Sequence, residues 1–207
     1  VLRALLHADK PLTQRELHQL TNISLGSVNS TVRQCEAAGY ISERALTEAG
    51  RQALAPYKVD NAIIMAAGLS QRFAPISYER PKGTLRVRGQ VLIDRQIEQL
   101  REAGINDITV VVGYKKEHFF YLAAKYGVKI VVNSDYATRN NNGSLWLVRE
   151  QLANTYICSS DDYFTVNPFE DYVYQAYYSA QYAQGPTAEW CITTGAGGRI
   201  TGASVGG

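Results

Sequence analysis

Apolar residues recur at helical spacing through the first 57 residues, and then give way to short unbroken runs of Ile and Val separated by helical stretches. The N-terminal part reads as helices over 1–7, 12–20 and 24–38. Thr13 opens the second of these with Glu16 three positions on, the spacing at which a hydroxyl and a carboxylate cap each other's backbone N–H groups. Gly39 stops the third, because only a residue without a side chain turns freely into the left-handed region. A strand is expected over 40–44 and a further helix from 46–51. Past a junction at 56–60, the pattern predicts strands over 62–65, 108–112, 129–133 and 155–159, with helices over 92–103, 116–126 and 144–151. Leu92, Ile93, Ile97 and Leu100 form one stripe of the first of these helices, which Gly104 ends. Strands of continuous Ile and Val between amphipathic helices predict an α/β fold, a mostly parallel sheet covered on both faces. No repeat or low-complexity tract interrupts it.

The order of elements over 1–57 resembles a winged helix-turn-helix domain, with Thr21-Asn22-Ile23-Ser24 as the turn. L-T-E-A-G-R at 46–51 is similar to the helix after the wing in bacterial regulators of that class. The helix over 24–38 offers Ser24, Ser27, Asn29, Ser30 and Thr31, which can hydrogen-bond phosphates and bases, but Arg33 is its one cation. Affinity for DNA normally needs several Lys or Arg. DNA binding through this domain and a purely structural role, in dimerisation or docking, therefore both stay open.

A chain of 207 residues, 45% hydrophobic and 10% aromatic, can fill one large or two modest cores. Its net charge of +2 is too small to argue for nucleic acid by itself, yet the whole excess lies in residues 1–59, with seven Lys and Arg against five Asp and Glu. No apolar stretch approaches membrane-spanning length, and the first apolar run is too short for a signal peptide, so a cytoplasmic location without a membrane span is expected. Cys35, Cys158 and Cys191 lack metal-like spacing and read as reduced thiols. The chain opens inside a helical pattern and closes on Gly206-Gly207 within a segment that is entering more structure, as a piece of a longer polypeptide would.

The strand over 62–65 runs straight into A-A-G-L-S-Q-R-F at 66–73. Ala67 and Gly68 leave room for backbone N–H groups to close on phosphates, Ser70 adds a hydroxyl, and Arg72 adds a cation. Pro81-Lys82-Gly83 then supplies a second cation on a proline-stiffened loop. Such a set suits a nucleoside triphosphate. Asp161 and Asp162 stand just past the strand over 155–159, where hard oxygen ligands for Mg²⁺ would meet the phosphates; an Asp pair capping a loop is the alternative.

Residues 60–164 resemble the bacterial choline-phosphate cytidylyltransferases of the sugar-nucleotidyltransferase superfamily. The resemblance lies in A-A-G-x-S-x-R-F, P-K-G, R-Q-I-E-Q-L-R-E-A-G-I-N-D-I-T-V-V-V-G-Y, Y-G-V-K-I-V-V-N and N-N-x-x-S-L, and in the strand that ends in Asp. It implies a Rossmann-like nucleotidyltransferase domain over 60–207, incomplete at its C-terminus, and transfer of CMP from CTP to phosphocholine. It further implies that Ser70, Arg72 and Lys82 bind phosphates, that Asn141 and Ser144 lie near the nucleoside, and that Asp161 holds Mg²⁺, with Ser159 where the family often has a first acidic residue. Glu189 and Trp190 match the family's acidic and aromatic pair near the choline head group, a quaternary ammonium that cannot donate hydrogen bonds and suits an aromatic face with a nearby carboxylate. The second metal carboxylate of the superfamily comes from a later strand, and no Asp or Glu follows Glu189. Tyr172, Tyr174, Tyr177, Tyr178 and Tyr182 are expected to form a helical packing face or to add walls to that cage. A sugar-1-phosphate nucleotidyltransferase, and a winged-helix transcription regulator with a metabolite-sensing transferase-like domain, are the competing readings; oligomeric state is not legible.

Overall fold

Capping chemistry sets the N-terminal helices. In the computed structural model, which describes residues 1–139, 141–182 and 184–206, α1 (Leu2–Leu6), α2 (Gln14–Thr21) and α3 (Leu25–Ala37) follow one another. Thr13 Oγ1 accepts the Glu16 N–H at 3.2 Å while Glu16 Oε2 accepts the Thr13 N–H at 2.7 Å, so the expected capping box is formed. Ser24 caps α3 with its Oγ, which accepts the Ser27 N–H at 3.2 Å. The wing is a hairpin rather than a lone strand over 40–44: β1 (Ile41–Ser42) pairs antiparallel with β2 (Ala45–Leu46). Glu43 and Arg44 close it at φ 50° and 64°, as a two-residue hairpin turn demands of both central positions. Thr47 caps α4 (Glu48–Leu54). Leu5, Leu12, Leu17, Val28, Val32 and Ile41 form the small core that these elements enclose.

The remaining elements are β3 (Asn61–Ala66), a hairpin of β4 (Arg86–Val87) and β5 (Gln90–Val91), α5 (Leu92–Glu102), β6 (Ile108–Val112), α6 (Tyr121–Tyr126), β7 (Lys129–Val132), α7 (Asn141–Leu147) and β8 (Thr155–Ser159). Four strands make one parallel sheet in the order β7-β6-β3-β8. The chain moves outward from β3 through β6 to β7, then returns to place β8 on the other side of β3. That reversal opens a crevice at the C-terminal ends of β3 and β8, where α/β sheets bind ligands.

Alternation along β3 divides its side chains between two faces. Ala62, Ile64 and Ala66 join Ile93, Ile97 and Leu100 of α5 in the main core, each large side chain contributing about 1.5–3 kcal/mol through burial. The other face is thinner than expected. Ile63, Val111 and Val148 are its buried members, while Ile157 on β8 stays 52% exposed. Coverage of both faces is therefore unequal. The helix expected over 116–126 begins as a 3-10 turn, Lys116–Phe119, before α6, and that expected over 144–151 starts earlier, at Asn141, and ends in a 3-10 turn at Arg149–Gln151.

Residues 1–174 form one compact unit, so the junction at 56–60 lies inside it; residues from 175 on form a second. In that second unit β9 (Trp190–Thr194) pairs antiparallel with β10 (Ile200–Val205). The expected helical tyrosine face does not exist: no helix spans 172–182, and Tyr174, Tyr177, Tyr178 and Tyr182 are exposed. Aromatic side chains lose rotamer freedom in a helix, and a short helix without a packing partner cannot recover it. No helix among the described residues is long and apolar enough to cross a membrane.

Candidate active site

The turn after β3 is held from behind. The Ala67 carbonyl accepts the Tyr114 N–H at 3.1 Å, which leaves Gly68 at the surface of the crevice. Ser70 adopts φ 55°, a left-handed conformation that a small polar residue tolerates and a β-branched one does not, and it swings Arg72 to the crevice wall. Across from this turn, the Pro81-Lys82-Gly83 loop sits on the end of β8. A Cβ on Gly83 would stand 2.8 Å from the Ser160 side chain, so glycine is what lets the loop come so close. Ser160 is itself tied to β3 by donating its N–H to the Met65 carbonyl.

These contacts line a cleft of about 460 Å³ with Gly68, Ser70, Arg72, Lys82, Asn141 and Asp161. Lys82 Nζ lies 3.3 Å from Asp161 Oδ2 and 5.2 Å from the centre of the Phe73 ring. The cation is thereby fixed over the cleft by a carboxylate and an aromatic face. Burial, reinforced by the charge of Asp161, raises the carboxyl of Asp162 above its ordinary value. Burial also pushes the Cys158 thiol up to about 12, so it is unreactive; all three cysteines are free thiols, as their spacing suggests.

Ser144, expected near the nucleoside, is not among the residues that line the cleft. It is buried on the same helix as Asn141, its Oγ accepting from Asn133 Nδ2 at 2.9 Å. Asn140, the first residue of N-N-x-x-S-L, lies outside the described residues. Glu189 and Trp190 belong to the second unit. There Trp190 begins β9 and is 72% exposed, while Glu189 uses its carbonyl to accept the Gly206 N–H.

Among the described residues, no three His, Cys, Asp or Glu side chains gather in a metal-holding group. Asp161 is the carboxylate on the cleft wall. Mg²⁺ keeps several waters and is commonly held by one or two carboxylates plus substrate phosphates, so the donor set fits a metal shared with a nucleotide. Sequence reasoning passed over Gln96 and Gln99, which lie behind the site. Their signal was legible: two polar residues interrupt the apolar stripe of α5, and a polar group at a core position needs a bonding partner.

A parallel sheet whose switch-point crevice gathers two cations, a hydroxyl and a carboxylate defines a nucleotide-handling α/β protein. Residues 62–186 match the MobA-like NTP transferase domain, and the chain belongs to that family. Residues 1–52 match the MarR family, consistent with the winged-helix arrangement. The chain is 46% identical over 134 residues to a choline-phosphate cytidylyltransferase of Streptococcus pneumoniae, covering 65% of this chain and 58% of that protein. It is 35% identical over 156 residues to a 2-aminoethylphosphonate cytidylyltransferase of Lancefieldella rimae, covering 71% and 61% respectively. A solved structure of the CTP:phosphocholine cytidylyltransferase from Streptococcus pneumoniae superposes with a TM-score of 0.67 at 43% identity, over 70% of this chain and 64% of that one. The chain thus spans about three fifths of the length of these relatives.

Proposed function

We propose that this protein transfers CMP from CTP to phosphocholine, giving CDP-choline and pyrophosphate. The observation that carries the reading is the convergence of Arg72, Lys82 and Asp161 on one cleft at the ends of β3 and β8. The shared cytidylyl transfer in the names of both relatives supports CTP as donor. On this reading the open turn at Ala67 and Gly68, the Ser70 hydroxyl, and the side chains of Arg72 and Lys82 hold the triphosphate, and their fixed charges favour the extra charge that develops as the α–β bond breaks. A phosphate oxygen of phosphocholine attacks the α-phosphorus in line, and pyrophosphate leaves. Asn141, on the cleft wall, would meet the nucleoside, and the Asn133–Ser144 bond ties its helix to the end of β7. Asp161 would hold Mg²⁺, which when bound offsets charge on the phosphates. Trp190, with Glu189, would meet the trimethylammonium group through its ring face.

Turnover of each NTP against phosphocholine, phosphoethanolamine, 2-aminoethylphosphonate and sugar 1-phosphates tests the assignment in the full-length protein. CTP with phosphocholine is expected to give the highest kcat/KM; a preference for a sugar phosphate would instead favour a sugar-1-phosphate nucleotidyltransferase. Trp190→Ala is expected to raise KM for phosphocholine about tenfold, the equivalent of a 1–2 kcal/mol cation–π contact, and to leave KM for CTP little changed. Equal losses for both substrates would make Trp190 structural. The MarR match favours a second activity, DNA binding through α3. With Arg33 as the cation of that helix, retention in a low-salt mobility-shift assay should be modest, salt-sensitive and lost in Arg33→Ala.

A further inference from the structure

Asp161 lies at the start of a stretch without named helix or strand that follows β8. Past the bond from the Ser160 N–H to the Met65 carbonyl, no strand ladder or helix fixes the backbone around Asp161, yet a residue that must meet a metal and a phosphate chain needs a position defined to a fraction of an ångström. The structure shows what holds it. Three side chains on one face of α5 reach the main chain on both sides of Asp161. Gln96 Nε2 donates to the Ser159 carbonyl at 3.0 Å. Arg95 donates twice to the Phe164 carbonyl, from Nε at 2.9 Å and Nη2 at 2.7 Å, and Nη2 also reaches the Thr165 carbonyl at 3.0 Å. Gln99 Nε2 adds a bond to the Phe164 carbonyl at 3.2 Å.

The clamp is rooted in the core. Ile93, Ile97 and Leu100 of the same helix are fully buried against the sheet, so α5 cannot shift without opening the main cluster. Gln96 is 1% exposed, an unusual place for an amide, and its donor is spent on the backbone beside Asp161. The guanidinium of Arg95 lies 5.0 Å from the Tyr163 ring centre, and its remaining hydrogen bond goes to Gln90 Oε1 rather than to a carboxylate. A planar fork with several donors can bind two successive carbonyls at once; an ammonium on a flexible stem cannot do so with the same geometry.

We propose that Arg95 and Gln96 are positioning residues for Asp161: they fix the backbone on either side of it and thereby aim its carboxylate into the cleft. The inference rests on the reading of Asp161 as the group that meets metal and nucleotide. Gln96→Met and Arg95→Lys are the informative changes. The first keeps the volume and removes both the donor and Gln96 Oε1, which has no partner of its own among the described residues, so the fold should survive it. The second keeps the charge and removes the fork.

Both variants, made in the full-length protein, are expected to keep a cooperative thermal transition within a few degrees of the parent. Each should weaken Mn²⁺ binding to the CTP complex, read by electron paramagnetic resonance, about tenfold, and lower kcat between about tenfold and a hundredfold, while KM for CTP moves less than about threefold. A merely structural role would alter thermal stability without that split. Mn²⁺ affinity and kcat unchanged in both variants would overturn the proposal while leaving the function intact. Loss of a cooperative transition in both, with no selective effect on metal binding in the folded fraction, would overturn it as well. A parent protein that neither binds Mn²⁺ with CTP nor turns over would instead refute the role of Asp161 and the functional reading beneath it.

Discussion

Lys82 and Asp161 lie 3.3 Å apart with side chains about one quarter and two fifths exposed, so each offsets the other's charge in the free protein. A triphosphate entering the cleft would take over Lys82. Lys82→Ala should therefore cost about 3 kcal/mol or more of transition-state stabilisation, read as a fall in kcat/KM of roughly a hundredfold or more. Near-normal kcat/KM would remove Lys82 from the mechanism. For the neighbouring carboxylates, Asp161→Asn should reduce Mg²⁺-dependent turnover more than Asp162→Asn, since Asp161 lines the cleft and pairs with Lys82, whereas Asp162 is not among the residues of the cleft wall. The reverse order of severity would place the metal ligand one residue on.

At the scale of elements, the capping box of α2 joins sequence to stability most directly. Two bonds from Thr13, one from its N–H and one from its hydroxyl, lower the Glu16 carboxyl from its ordinary 4.5 to about 2. A depressed carboxyl adds stability that is present above its unfolded value and is lost as pH falls through the folded one. The Thr13→Ala change should cost about 1 kcal/mol near neutral pH. Its deficit relative to the parent should shrink as pH falls from 4.5 towards 2, where Glu16 takes up its proton in either protein. Thermal melts at stepped pH check this, and a deficit independent of pH would show that the bond from the Thr13 hydroxyl to the carboxylate takes no part in the cap.

Within the first unit, the winged helix is tied to the sheet domain through α1. Arg3 pairs with Glu170 and Asp171, each at 2.9 Å, and His7 Nε2 lies 2.8 Å from the second Asp171 oxygen. The backbone joins in: Val59 donates to the Asp171 carbonyl and Val173 to that of Tyr57. Because Arg3 and Asp171 keep partial exposure, solvent screening limits their pair to about 0.5–1 kcal/mol. A double-mutant cycle of Arg3→Ala and Asp171→Ala should return a coupling of about that size, with faster proteolysis at the 56–60 junction in Arg3→Ala. Additive effects and an unchanged cleavage rate would mean that the backbone contacts alone hold the two parts together.

Residue type and local spacing are enough to predict the Ile and Val strands, the capped N-terminal helices, the small-residue turn with Arg72 and the Lys82 loop, because each depends only on neighbours in the chain. Membership of the NTP transferase family agrees with that reading. Tertiary structure decided what local pattern cannot carry. The tyrosines over 172–182 have helical spacing but form no helix, and Tyr174 meets the Tyr57 ring instead; the wing became a hairpin because its short strands had to pair with each other. The Lys82–Asp161 contact joins residues 79 positions apart, brought together only when β8 returns to the far side of β3. The grip of α5 on Ser159 and Phe164 arises in the same way, since a helix face set by hydrophobic burial also aims whatever polar groups that face contains.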